Sequence, residues 1–250
     1  MKTINTIDDV IIVLQSIINE SIKNKNTQGY FAALYQKVTI KVKEGIANNI
    51  FDNGSRMEKL DIIFAKRYIN AYYDFQQNKT ISGSWEKSFS ITDDYFPIVL
   101  QHLLIGMNAH INLDLGIAAA QVSEEHPIED LKNDFDKINE LLSSLVMDVE
   151  NNLSTIWPFL KKILKFTKKI DDFLVDFSMQ KARDEAWNFA VVLSNTQSSK
   201  IQETIQLKDL ETVRIASLIT NPGTIPSFLF MIIRLGEKGT IPQKIVDLIK

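Results

Sequence analysis

The sequence predicts an all-α protein, a single-domain multi-helix bundle with a buried central helix at about residues 96–120. Three observations predict it. Apolar residues recur at i, i+3 and i+4 along most of the chain, and the strict alternation of a strand is scarce. Residues 95–120 carry one formal charge, Asp114, between stretches that are amphipathic, and a helix apolar on nearly every side belongs inside other helices. Hydrophobic residues make up 45% of the 250, enough for a sizeable core.

Residues 7–24 read as an amphipathic helix with Ile7, Val10, Ile11, Leu14, Ile17 and Ile18 on one side. Residues 29–47 follow, with Phe31, Leu34, Tyr35, Val38 and Val42 inward; "VTIKV" alone would suit a strand, but the wider period is helical. "FDNGS", 51–55, is a turn, and a third helix runs from about Arg56 to Phe75. "QNKTISGSW", 77–85, reads as a polar loop, and Pro97 as the opening of the central helix, because proline suits a first helical turn. "SEEHP", 123–127, separates that helix from one at about 128–151. One long helix, or two end to end, is expected over 157–194, with Pro158 near its start. The polar stretch 194–209 is expected to be exposed, and three short helices near 209–220, 227–235 and 242–249 close the chain. The last two follow "GTIP" segments, a glycine turn joined to a proline start. No linker divides residues 1–250, although 195–250 reads as a candidate peripheral C-terminal extension.

Composition excludes several functions. Twenty-eight basic and 31 acidic residues leave a net charge of −3, so no nucleic-acid partner is expected. The chain has no cysteine, which removes disulfides, thiolate metal sites and a cysteine nucleophile, and fits a cytoplasmic location. The first twenty residues are interrupted by Asp8, Asp9 and Gln15 and do not form a signal peptide. Residues 95–120 are long enough to span a bilayer, but Gln101, Asn108, Asn112 and two histidines favour a buried helix, so no membrane span is expected.

The central helix carries the candidate chemistry. His102, Gly106, His110 and Asp114 form an i+4 series in which His110 and Asp114 are neighbours, while His102 lies about two turns from the pair. An imidazole and a carboxylate at this spacing could ligate one divalent metal, or the carboxylate could orient the imidazole as a general base. Gly106 omits a side chain where a ligand could approach, so a cavity is expected beside it. Asn108, Asn112 and Gln101 lie on nearly the opposite face. The third helix offers Asp61, Tyr68 and Tyr72 on one stripe, with Arg67 on a neighbouring face. Asp134 and Asp136 flank Phe135, one of them facing solvent, and Arg183 and Trp187 form an i, i+4 pair. Against the functional reading stands a structural one, in which the same polar groups tie helices together. No phosphate loop, Gly-x-Ser-x-Gly elbow or His-Glu-x-x-His motif is present.

"GMNAHINLDL" resembles the signature of a bacterial family of unknown function, number 5995 in the domain-of-unknown-function series. "FAALYQKVTIKVKEGI", "RMEKLDIIFAKRYINAYYDF", "SWEKSF", "NDFDKINELL" and "FSMQKARDEAWNFA" resemble further parts of it, together covering most of residues 31–190. The resemblance implies a helical domain and no particular reaction. It groups Asp61, Arg67, Tyr68, Asn108, His110, Asn112, Asp114, Arg183 and Trp187 as a common set. Three functions remain open. The first is an enzyme with a buried His/Asp site, either a metal-assisted hydrolase of a small or lipid-like substrate or a metal-free lyase, isomerase or cyclase. In it His110, Asp114, Asp61 and Arg67 would be catalytic, and Tyr68, Tyr72, Asn108, Asn112, Arg183 and Trp187 would bind substrate. The second is a module for a small apolar ligand, and the third a structural protein.

Overall fold

The computed structural model describes residues 3–157 and 179–250. Among them the regular structure is helical, with eleven α-helices and no strand. The chain opens with α1 (Ile7–Asn24), α2 (Gln28–Ala47) and α3 (Gly54–Gln76). Thr6 and Asp9 close the start of α1 reciprocally: the Thr6 hydroxyl accepts from the Asp9 amide and the Asp9 carboxylate from the Thr6 amide. Lys25 ends that helix in the left-handed conformation, and its amide donates back to the last turn. The start of α3 is held from a distance. Asp134 is fully buried and accepts from the Asp52 and Asn53 amides at 2.6 and 3.0 Å, beside Arg56. Asp136, in contrast, is exposed.

The stretch expected to be a polar loop contains α4 (Gly83–Ser90). Eight residues cannot sustain a helix alone. This one is held because the Gly83 and Ser84 amides donate to Asp209, 2.6 and 2.9 Å away, and because Trp85 and Phe89 are buried.

The central helical run spans 99–122 as α5 (Val99–Ala109), a π-helical segment (His110–Leu115) and α6 (Gly116–Val122). It starts at Val99 rather than at Pro97. Ile98 is still extended, its amide donates to Gln101 Oε1, and the Val99 amide donates to Glu237. The run is apolar and long enough to cross a membrane, but 89% of its most apolar window is buried inside the protein. α5 packs on α2, α4 and α9 (Ile201–Thr220), while the π segment and α6 pack on α3 and α8 (Met179–Ser194).

A short 3-10 turn (Ile128–Leu131) leads into α7 (Lys132–Ile156), where one helix over 128–151 was expected. Of the helix or helices expected over 157–194, residues 158–178 lie outside the described residues, and 179–194 is α8. α9 begins at Ile201, eight residues before its expected start: Ile201 and Ile205, one turn apart in its first turns, pack against the cluster of Leu113, Ile117, Phe189 and Leu193. α10 (Thr224–Gly236) and α11 (Ile241–Ile249) follow. Phe230, Ile233, Ile245 and Leu248 of these two helices join the same core as Leu14, Ile17, Phe31, Tyr68 and Leu103.

Candidate functional site

α3 crosses the central run so that Arg67 meets Asp114. Arg67 Nε donates to Asp114 Oδ1 at 2.6 Å, and Trp85 Nε1, from α4, donates to Oδ2 at 2.8 Å. His110 Nδ1 lies 3.2 Å from the same Oδ2. His110 and Asp114 are both almost wholly buried. The charge of Asp114, which has no cationic neighbour along its own helix, is therefore balanced from α3.

Burial would raise the Asp114 carboxyl pKa, but the Arg67 charge and the hydrogen bonds from His110 and Trp85 outweigh it and hold the group below its ordinary value. Burial depresses His110, partly offset by Asp114. An ionised carboxylate can only accept, so the neutral imidazole carries its proton on Nδ1 and directs it at Asp114. Nε2 is left as a bare acceptor. It is buried and has no hydrogen-bond partner among the described residues.

Among the other buried oxygens in that condition are Asp61 Oδ2 and the Tyr68 hydroxyl; the Tyr35 hydroxyl has the Thr39 side chain beside it. Tyr35 feels both Asp61 and Asp114, and its ring centroid is 4.4 Å from that of His110. The Tyr35 and Tyr68 hydroxyls are pushed well up, chiefly by burial. Burial, helped by the negative charge of Glu58, lifts the Asp61 carboxyl to about 7. Phe64 stacks on the imidazole at 3.6 Å, and the rings of Phe31, Tyr68 and Trp85 stand within 6.1 Å of it.

Gly106 does not open a cavity. A Cβ there would lie 2.5 Å from the ring of Phe31, so the missing side chain makes room for Phe31. A groove of about 440 Å³ lies elsewhere, between the start of α1 and α3, and His110, Asp114 and Asp61 do not line it.

The other expected residues divide between two surroundings. Arg67 and Tyr68 come to the His110 side, and Asp61 is close enough to Tyr35 to act on its hydroxyl. Tyr72 packs one turn further on, near Tyr68 and Phe89. Asn108 and Asn112 face α9: Asn112 donates to Asn108 Oδ1, and Asn108 donates to the Thr212 carbonyl, both at 2.9 Å. Gln101 reaches the Ile219 carbonyl in the same way, so these amides clamp α9 to the central run. Trp187 packs on Phe135 under Lys132. Arg183 is buried on α8, and burial lowers its guanidinium pKa to about 10, partly offset by Asp184. His102 belongs to another cluster: it meets Tyr30 edge-on, and burial, with Arg234 and Lys244 nearby, drives its pKa to about 3.

A divalent metal on His110 and Asp114 does not fit this donor set. Both Asp114 oxygens receive N–H donors, one from a guanidinium, and the protonated imidazole nitrogen is the one turned toward the carboxylate. Among the described residues, no three His, Asp or Glu side chains gather as a ligand set.

Trp85, Tyr35 and Phe64 were not expected at the site. "SWEKSF" did hold a signal for the first, since Trp85 and Phe89 are an i, i+4 apolar pair inside a nominal loop. The model of a family of unknown function, DUF5995, matches residues 7–222. No curated protein and no solved structure matches the chain.

Proposed function

Taking as premise that the chain belongs to the DUF5995 family, we propose that it is a metal-free acid–base enzyme acting on a small substrate, a lyase, isomerase or cyclase. Nε2 of His110 is the base. Asp114 fixes its tautomer and stabilises the imidazolium that forms, and Arg67 and Trp85 keep Asp114 ionised. Asp61 is the acid: a carboxyl lifted to about 7 holds a proton near neutral pH and can release it. The substrate gives a proton to Nε2 and receives one from Asp61, leaving an imidazolium and a carboxylate of balancing charge. Both atoms are buried and the groove by α1 and α3 does not reach them, so the rings around His110 have to part to admit the substrate. The single observation that carries this reading is an oriented imidazole whose second nitrogen, His110 Nε2, is buried and left without a partner, with Asp61 Oδ2 and the Tyr68 hydroxyl in the same condition. A purely structural network satisfies such atoms.

The test is deuterium wash-in from D2O, followed by NMR, across a panel of small carbonyl and hydroxy compounds. Exchange by the wild type should fall about 10²-fold or more in His110→Ala and in Asp61→Asn, with circular dichroism unchanged. Exchange that persists in His110→Ala overturns the assignment.

The second reading is a core network that only ties α3, α4 and the central run together. The close stacking of Phe64 and the surrounding rings favour it. It expects no exchange by the wild type and a large loss of stability in His110→Ala.

A further inference from the structure

α9 has two sides. Thr212, Ala216 and Ile219 are buried, and the helix packs on α4, α5 and the π segment. From this inner side Asp209 holds the start of α4, and the Thr212 carbonyl accepts from Asn108. At 100° per residue the opposite side is formed by Glu203, Leu207, Leu210 and Arg214. All four are exposed, Leu207 and Leu210 by 63% and 60%. A single exposed leucine is ordinary. Here, however, the four residues follow one another at spacings of four, three and four, the spacing of a coiled-coil seam.

Charge identifies what covers this seam. Glu203 and Arg214 stand at its two ends, about 16 Å apart along the axis and too far to reach each other. Among the described residues neither forms an ion pair, whereas Lys208 and Glu211 on the flank pair with each other at 2.9 Å. The face is a charge palindrome: read backwards, its acidic and basic ends exchange places while the leucines stay in the middle. A second copy of α9 laid antiparallel therefore sets Glu203 of each copy opposite Arg214 of the other and encloses four leucines. A parallel copy would set like charges together. Self-complementarity of this kind is what a two-fold contact between identical chains requires.

We infer that α9 is the contact helix of a homodimer, its outer face packed antiparallel on the same face of a second copy. Leu207 and Leu210 exclude water, and Glu203 and Arg214 fix the direction. Exposed ion pairs add little strength but do set orientation. One helix pair buries less than the ~1,200 Å² of a standard interface, so the dimer is weak and reversible.

Sedimentation equilibrium of the full chain over about a hundredfold range of concentration tests this, with a monomer–dimer equilibrium as the expected result. The double substitution Leu207→Ser with Leu210→Ser should weaken the dimer about tenfold or more. Glu203→Lys alone, or Arg214→Glu alone, brings like charges together at both ends of the seam and should also weaken it about tenfold. The two reversals combined restore opposite charges and should restore wild-type association. All four side chains are exposed, so the fold is expected to stand, with circular dichroism as the check. The charge reversals leave the leucines in place and carry the test even where the leucine variant fails to fold. The inference is overturned by a wild type that stays monomeric throughout, including one whose leucines carry it to phosphatidylcholine vesicles. It is equally overturned by a dimer that the leucine substitutions leave unchanged, by one that the combined reversal does not recover, or by one lost instead in Phe228→Ser with Leu235→Ser on α10.

Discussion

Replacing Asp114 with alanine removes the acceptor shared by α3, α4 and the central run. The cost can be worked from the contacts. Trp85 Nε1 and His110 Nδ1, both buried, lose their acceptor, and a stranded buried donor costs about 1–3 kcal/mol. Arg67 loses its counter-charge, and breaking a buried pair costs roughly 3–5 kcal/mol in general. The Arg67 side chain is 29% exposed, so water takes up much of its charge and cuts its share to about 1–2 kcal/mol; with about 2 kcal/mol for the two stranded donors the total is about 3–4 kcal/mol. For a chain of this length that lowers the melting temperature by about 10 °C. The assay is urea and thermal unfolding of both proteins across pH. The folded pKa of Asp114 lies below the unfolded one, so its contribution is present above the ordinary carboxylate range and is lost as pH falls through the folded value. The gap between wild type and Asp114→Ala should therefore be constant from about pH 5 upward and close in acid. Equal urea midpoints at pH 7 would refute the account of Asp114 as a charge held by Arg67 and Trp85.

Asp61 has the opposite sign. Its folded pKa is raised from 3.8 to about 7, so the folded state holds the proton more tightly, and the stability this confers is lost as pH rises from about 4 through 7. By linkage the change is about 4 kcal/mol, so Asp61→Asn should gain on the wild type by an amount of that order between pH 4 and pH 8 in paired urea titrations; parallel curves would show that Asp61 titrates normally. Gly106→Ala should cost about 1–3 kcal/mol, because the new Cβ drives against the Phe31 ring that the imidazole also contacts, and differential scanning calorimetry that detects no loss would show that Phe31 can move aside.

Much of the fold was legible because it is local. The helix over residues 7–24 is read from its apolar period, and the Thr6–Asp9 cap that the structure adds is equally local. α4 was not, because its first amides are satisfied by Asp209, more than a hundred residues away. The late expected start of α9 has the same cause: Ile201 and Ile205 stand among polar residues in its first turns, and only their packing on Leu113, Ile117, Phe189 and Leu193 reveals an apolar side.

The candidate site divides in the same way. By itself the sequence determined that His110 and Asp114 are neighbours and that the helix bearing them is enclosed, since helical spacing follows from residue order; it offered Asp61, Arg67, Tyr68 and Arg183 as candidate partners without choosing among them. Only tertiary structure decided that Arg67 and Trp85 take the two Asp114 oxygens, that Asn108 and Asn112 turn to α9, and that Phe31 fills the space at Gly106. These are contacts between helices far apart in the chain. They depend on which faces meet when several amphipathic helices compete to bury apolar area, and apolar burial is non-directional, so periodicity names the buried face without naming what covers it. The polar groups then select among the packings, because a buried carboxylate is tolerable only where a guanidinium and N–H donors arrive together.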